Sequence, residues 1–209
     1  MYMRALEGCE KALGPDHTST LQTVNNLANL YSDQGKLAEA EAMYMQALEG
    51  CEKALGPDHI STLQTVNNLA NLYKNQGKLA EAEAMYMRAL EGKEKALGPD
   101  HTSTLQTVNN LANLYKNQGK LAEAEAMYDR VLEGYKKALG SGNITTYIPA
   151  LNTLWNLGSL FEIQADFAKA KNMYSKALAG YENVVGPNHP KCQSLQENLQ
   201  DLDTKIDNS

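Results

Sequence analysis

Residues 63–100 read LQTVNNLANLYKNQGKLAEAEAMYMRALEGKEKALGPD. Leu63, Val66, Leu69, Ala70 and Tyr73 recur at intervals of three and four, so an α-helical pitch places them on one stripe. Asn67, Asn68, Asn71 and Lys74 take the other side. Gly77 interrupts the pattern. Leu79, Ala82, Tyr86, Ala89 and Leu90 then resume it on a second helix that continues through Glu91–Leu97. Gly98-Pro99-Asp100 closes this helix, because Gly tolerates a left-handed cap and Pro cannot continue a helix, and Asp100 is placed to cap the next one. The two elements are helix A and helix B.

Working outward, the same wording returns. Met1–Ala42, Met43–Ala84 and Met85–Ala126 are three copies of one 42-residue unit. The first two differ only at Arg4/Gln46, Thr18/Ile60, Ser32/Lys74 and Asp33/Asn75. The second and third differ only at Gln46/Arg88, Cys51/Lys93 and Ile60/Thr102. A diverged fourth unit runs from Met127 to about Lys171, where Leu151 and Leu157 match Leu105 and Leu111 four residues late, so the extra residues lie in Gly140–Ala150. A partial fifth unit closes the chain. Alternating helices and tight turns predict antiparallel helix pairs stacked in a row. Ordering a chain costs ~1.5 kcal/mol per residue, and one pair of thin helices buries too little to offset that, so neighbouring units must supply the rest.

The 209 residues carry 19 Lys+Arg against 25 Asp+Glu, a formal charge of −6. A nucleic-acid partner calls for concentrated positive charge, and this acidic chain has no basic run. No stretch approaches the roughly 18 to 20 apolar residues of a membrane span, and no basic-then-apolar leader opens the chain. Three cysteines, Cys9, Cys51 and Cys192, do not suit a disulfide framework. The chain reads as cytoplasmic, without nucleic-acid or membrane partners.

The run Asn68-Leu69-Ala70, Tyr73, Gly77, Ala82, Tyr86, Ala89-Leu90 resembles the tetratricopeptide repeat signature, with small residues where helices cross and large ones between them. That family's usual period is about 34 residues, so the helices here are longer. The long unit is similar to the repeats of kinesin light chains and, more closely, to the C-terminal arrays of fungal NLR-like signalling ATPases. The resemblance covers essentially the whole chain. It implies an all-α, right-handed superhelical solenoid of antiparallel helix pairs, whose concave side, lined mainly by helix A, binds peptides or proteins. It implies no active site and no cofactor. The expected layout is a single array over 1–209: a truncated helix B at 1–13, helix pairs at about 16–55, 58–97, 100–139 and 144–185, and a capping helix at 189–206.

The polar side of helix A carries the candidate groove. Asn25, Asn67 and Asn109 repeat at the period, as do Asn29, Asn71 and Asn113, so stacking should array their amides as ladders. An amide offers both a donor and an acceptor, which suits the backbone of an extended peptide. As copied polar positions they are equally consistent with a solvated face, but Asn is disfavoured inside helices. Lys74 and Lys116 share this face, where Ser32 stands in the first copy; they suit a carboxylate-bearing partner and fit ordinary solubilising lysines at least as well. Trp155 aligns with Asn109. It either faces the groove as an aromatic anchor or packs under the Gly140–Ala150 insertion.

The remaining candidates fail on geometry. His17, His59, His101 and His189 should lie about 10 Å apart in stacked repeats, too far for shared metal coordination, and read as helix-start residues. Met43, Met85 and Met127 read as core. Gly77-Lys78 and its copies lack the rest of a phosphate loop. No Ser/His/Asp or Cys/His set stands out, so neither an enzyme nor a metal site is expected.

Residues 1–13 read as a cut through a longer array. Gln200 and Asp203 replace the Ala and Tyr that would receive a further helix, as a terminal cap requires. The expected function is a non-catalytic protein- or peptide-binding array of a larger cytosolic signalling protein. The alternatives are a scaffold that self-associates through its open N-terminal face, and a kinesin-light-chain-like cargo adaptor. Acidic residues such as Glu81, Glu83 and Glu91 gather on helix B, away from the amides.

Overall fold

The computed structural model describes residues 2–140 and 142–207, without the side chains of Tyr2, Met3 and Ala5. Met1, Ser141 and the apolar positions proposed for the start of the first helix therefore lie outside the described residues. The described chain is helical throughout, with no strand, and divides into two compact units, Met1–Gly98 and Pro99–Ser209.

The N-terminal unit holds α1 (Tyr2–Leu13), α2 (Thr18–Asp33), α3 (Leu37–Leu55), α4 (Ile60–Asn75) and α5 (Leu79–Leu97). Helices α2 and α4 are A helices, and α3 and α5 are B helices. Each A helix ends in one motif. The Lys78 N–H donates to the Tyr73 carbonyl and the Gly77 N–H to the Lys74 carbonyl, a Schellman cap that needs positive φ at Gly77, which has φ 77°. Lys78 then lays its ammonium 4.9 Å from the Tyr73 ring centre, and Lys36 does the same over Tyr31. These cation–π contacts lie over the turn and add to its stability.

The cap of each following A helix corrects one sequence reading. The capping residue is His59 or His17, not the aspartate before it. His59 is extended (φ −68°, ψ 142°) and its Nδ1 accepts the Ser61 N–H at 3.1 Å, whereas Asp16 lies in the preceding turn and pairs with Lys53. In the C-terminal unit His101 caps in the same way, while Asp100 reaches Lys137 at 3.6 Å. An imidazole nitrogen does the work that a Ser, Thr, Asn or Asp side-chain oxygen does in most caps.

Burial follows the stripes. In the N-terminal unit Ala28, Ala40, Tyr44, Val66, Leu69 and Ala89 form one cluster. The helices cross closely because each B helix carries a glycine in its interior: a Cβ added at Gly92 would stand 2.6 Å from Leu63 Cδ1. A helix-interior glycine ordinarily costs ~1 kcal/mol, and here it permits the closer packing of the pair.

The C-terminal unit holds α6 (Thr102–Asn117), α7 (Leu121–Leu139), a short 3-10 turn (Asn143–Thr145), α8 (Ile148–Ile163), α9 (Phe167–Val185) and α10 (Pro190–Asp207). The 3-10 turn falls in the expected insertion. Asn143 donates to the Leu139 carbonyl at 2.7 Å, and Tyr147 meets Tyr135 edge-on at 5.0 Å. Helix α10 starts with Pro190, suited to a first helical position, buries Cys192, Leu195 and Leu202, and leaves Gln200 and Asp203 exposed. Among the described residues no helix is long and apolar enough to cross a membrane.

Candidate functional site

The asparagines of helix A are largely occupied within each unit. In the N-terminal unit Asn29 and Asn71 each accept a hydrogen bond at 2.5 Å from the tyrosine of the following helix, Tyr44 and Tyr86. These tyrosines are buried, and desolvation pushes Tyr44 up to about 12 and Tyr86 higher still. A buried phenol needs an acceptor, and the amide one turn before the helix end supplies it. Asn25 and Asn67 are only 4% exposed. Asn68 of α4 donates to Asn25 of α2 at 3.3 Å, and Asn26 and Asn68 accept from Gln22 and Gln64 one turn earlier. In the N-terminal unit one amide contact, Asn68 to Asn25, joins successive A helices, and Asn25 and Asn67 are buried rather than open along a groove.

Lys74 differs. It is partly buried, its side chain forms no hydrogen bond or ion pair among the described residues, and burial lowers the pKa of its ammonium. Ser32 holds the same position in the preceding copy. A cation withdrawn from water without a counter-charge gains when a carboxylate arrives.

In the C-terminal unit the pattern begins alike and then diverges. Asn113 accepts from Tyr128 at 2.7 Å, Asn109 accepts from Thr153 at 3.1 Å, and Lys116 reaches Ser159 at 3.3 Å. In the diverged repeat, Tyr174 donates instead to Glu162, which also receives Lys205 of α10. Trp155 stands edge-on to Tyr181 at 6.3 Å, and its Nε1 donates to the Asn198 amide oxygen at 3.2 Å, while that amide's nitrogen reaches the Ser194 carbonyl. Trp155 is thus joined to α9 and α10. The insertion meets α7 through the Tyr135–Tyr147 pair.

Repetition of the sequence signals the helix A positions but not how they are spent. The Tyr-to-Asn pairing, fifteen residues apart, was available in the sequence as a polar residue facing each core tyrosine. No group of three metal-ligating side chains gathers among the described residues, and each His Nδ1 is taken up in capping.

The sequence profile described as Tetratricopeptide repeat matches residues 1–53, 20–95 and 61–137, and a second of the same description matches 151–191. No curated protein is similar at a significant level. Among solved structures, BtubC (BKLC) from P. vanneervenii is 20% identical with a TM-score of 0.73, covering 100% of this chain and 90% of its own. A Podosopora anserina protein described as a kinesin light chain with nearly identical TPR-like repeats is 23% identical with a TM-score of 0.71, over 89% of this chain and 86% of its own. A point variant of that protein is 22% identical with a TM-score of 0.69, over 92% and 99%. At these identities the likeness establishes the fold.

Proposed function

The chain belongs to the tetratricopeptide repeat family, and from that premise we propose that it is a non-catalytic module that binds a protein or an extended peptide along the polar side of its A helices, within a larger cytoplasmic signalling protein. The observation that carries the reading is Lys74, a partly buried ammonium with no counter-charge among the described residues. In the N-terminal unit Lys74 receives a carboxylate, and the amide nitrogens of Asn29 and Asn71, whose oxygens hold tyrosines, remain to serve the partner's backbone. In the C-terminal unit Asn109, Asn113 and Lys116 hold the matching positions, and Trp155 braces the diverged repeat beside them.

Selection of peptides from a random displayed library on the whole chain tests this. Acidic peptides are expected, with affinity reduced about tenfold by Lys74→Ser, the loss of one charge-assisted hydrogen bond. Ser32 shows that the fold accepts serine there. Peptides without acidic residues, or an unchanged affinity in the variant, sink the assignment. Self-association through the N-terminal face is the competing reading, and light scattering that shows a growing mass with concentration would favour it.

A further inference from the structure

Glu52 on α3 and Arg88 on α5 form an ion pair at 2.6 Å that links successive B helices in the N-terminal unit. Glu52 lies fifteen residues after Leu37, the first residue of its helix, as Lys136 lies after Leu121 of α7. Arg88 lies nine residues after Leu79, as Lys176 lies after Phe167 of α9. The attractive pair of one unit is therefore two cations in the other, and among the described residues neither forms an ion pair.

A cavity of about 780 Å³ lies where these helices face one another. It is lined by Leu132 of α7, Leu154, Leu157 and Phe161 of α8 and Met173 of α9, and Ile144 of the inserted turn borders it. Lys136 and Lys176 both line it. The third lysine there, Lys169, is already held by Asp166 at 2.9 Å and lies over the Phe161 ring. Asp129 is the carboxylate of the lining. Burial, reinforced by Glu125 and Glu133 and partly opposed by the nearby Lys136, pushes its pKa above the ordinary range. The volume lies within the range of about 300 to 1,000 Å³ typical of small-molecule sites, and an apolar body with a few polar groups is their usual lining. Lys136 and Lys176 line one cavity in which Asp129 is the carboxylate, and an anion lodged between the two lysines gains from both.

We infer that this cavity binds a free amphiphilic carboxylate, its apolar chain or ring against the leucines, Phe161 and Met173, and its carboxylate between Lys136 and Lys176. The site is lined by two B helices, α7 and α9, together with apolar residues of α8, and does not depend on what binds the polar side of the A helices.

Calorimetry on the whole chain tests it with two probes of equal chain length, dodecanoate and dodecyltrimethylammonium, each below its micellar concentration. Dodecanoate binds one to one and at least about tenfold tighter than the cation. Lys136→Glu, which restores the charge pattern of the Glu52–Arg88 pair, weakens dodecanoate about tenfold or more with unchanged circular dichroism. Lys176→Gln, which only removes a charge, weakens it in the same direction. Equal binding of the two probes, or unaltered affinity in both folded variants, overturns the inference. Tighter binding of an acetylated peptide carrying Leu, Phe and Glu than of dodecanoate overturns the assignment to a free small molecule.

Discussion

At the scale of single residues, one slot on helix B shows what near-identical copies can vary. Cys51, Lys93, Tyr135 and Tyr181 occupy it in turn, and all are buried. Cys51 and the tyrosines suit an apolar site. Lys93 is only 1% exposed, donates to Gln64 at 3.1 Å, and burial lowers its pKa to about 8. In the unfolded chain a lysine titrates near 10.4, so below about pH 8 the folded state carries the full cost of a buried charge. As pH rises from 8 the folded protein sheds its proton before the unfolded one does, and stability increases, by about 2 kcal/mol at pH 10. Burial of Lys74 acts in the same direction. Above pH 10 the buried tyrosines reverse the trend, since their folded pKa values lie above the unfolded value. Denaturant titrations from pH 7 to 10 should show this rise in the native protein, and Lys93→Met should abolish most of it. An equal rise in the variant would place its origin elsewhere.

At the scale of elements, the helix pairs were legible because apolar spacing and glycine position are both local signals. The Leu63 to Tyr73 stripe and the breaks at Gly77 and Gly98 correspond directly to α4, its Schellman turn and the end of α5. The caps were not legible in the same way, since preference alone selects Asp100 while backbone geometry selects His101. The turn after α8 carries a further consequence. Gly35, Gly77 and Gly119 have φ between 75° and 77°, and in the diverged repeat Ala165 takes the same position at φ 59°. A left-handed alanine costs about 1–2 kcal/mol, partly offset by the greater freedom of unfolded glycine. Ala165→Gly should therefore stabilise the protein by about 0.5–1 kcal/mol, read as a higher denaturation midpoint with an unchanged slope. A lower midpoint would show that the turn is held some other way.

At the scale of the whole molecule, the fold class followed from repetition, while the use of each surface did not. Asn25 and Asn67 look like ligand contacts in the sequence because they are polar, regular and opposite the core stripe. Both are almost fully buried, and Asn25 accepts a hydrogen bond from Asn68 of the next A helix, a contact from more than forty residues away that no local pattern encodes. The contrast of Glu52 and Arg88 with Lys136 and Lys176, by comparison, was present in the aligned copies all along, and acquires meaning from the cavity beside them. The central claim is that recognition belongs to the A helices. Amide chemical-shift mapping of the isotope-labelled chain with a selected acidic peptide tests it most directly. The account predicts shifts centred on Asn29, Asn71 and Lys74, or on Asn113 and Lys116. Shifts centred instead on the exposed side of the B helices, around Met45 and Met87, would contradict it.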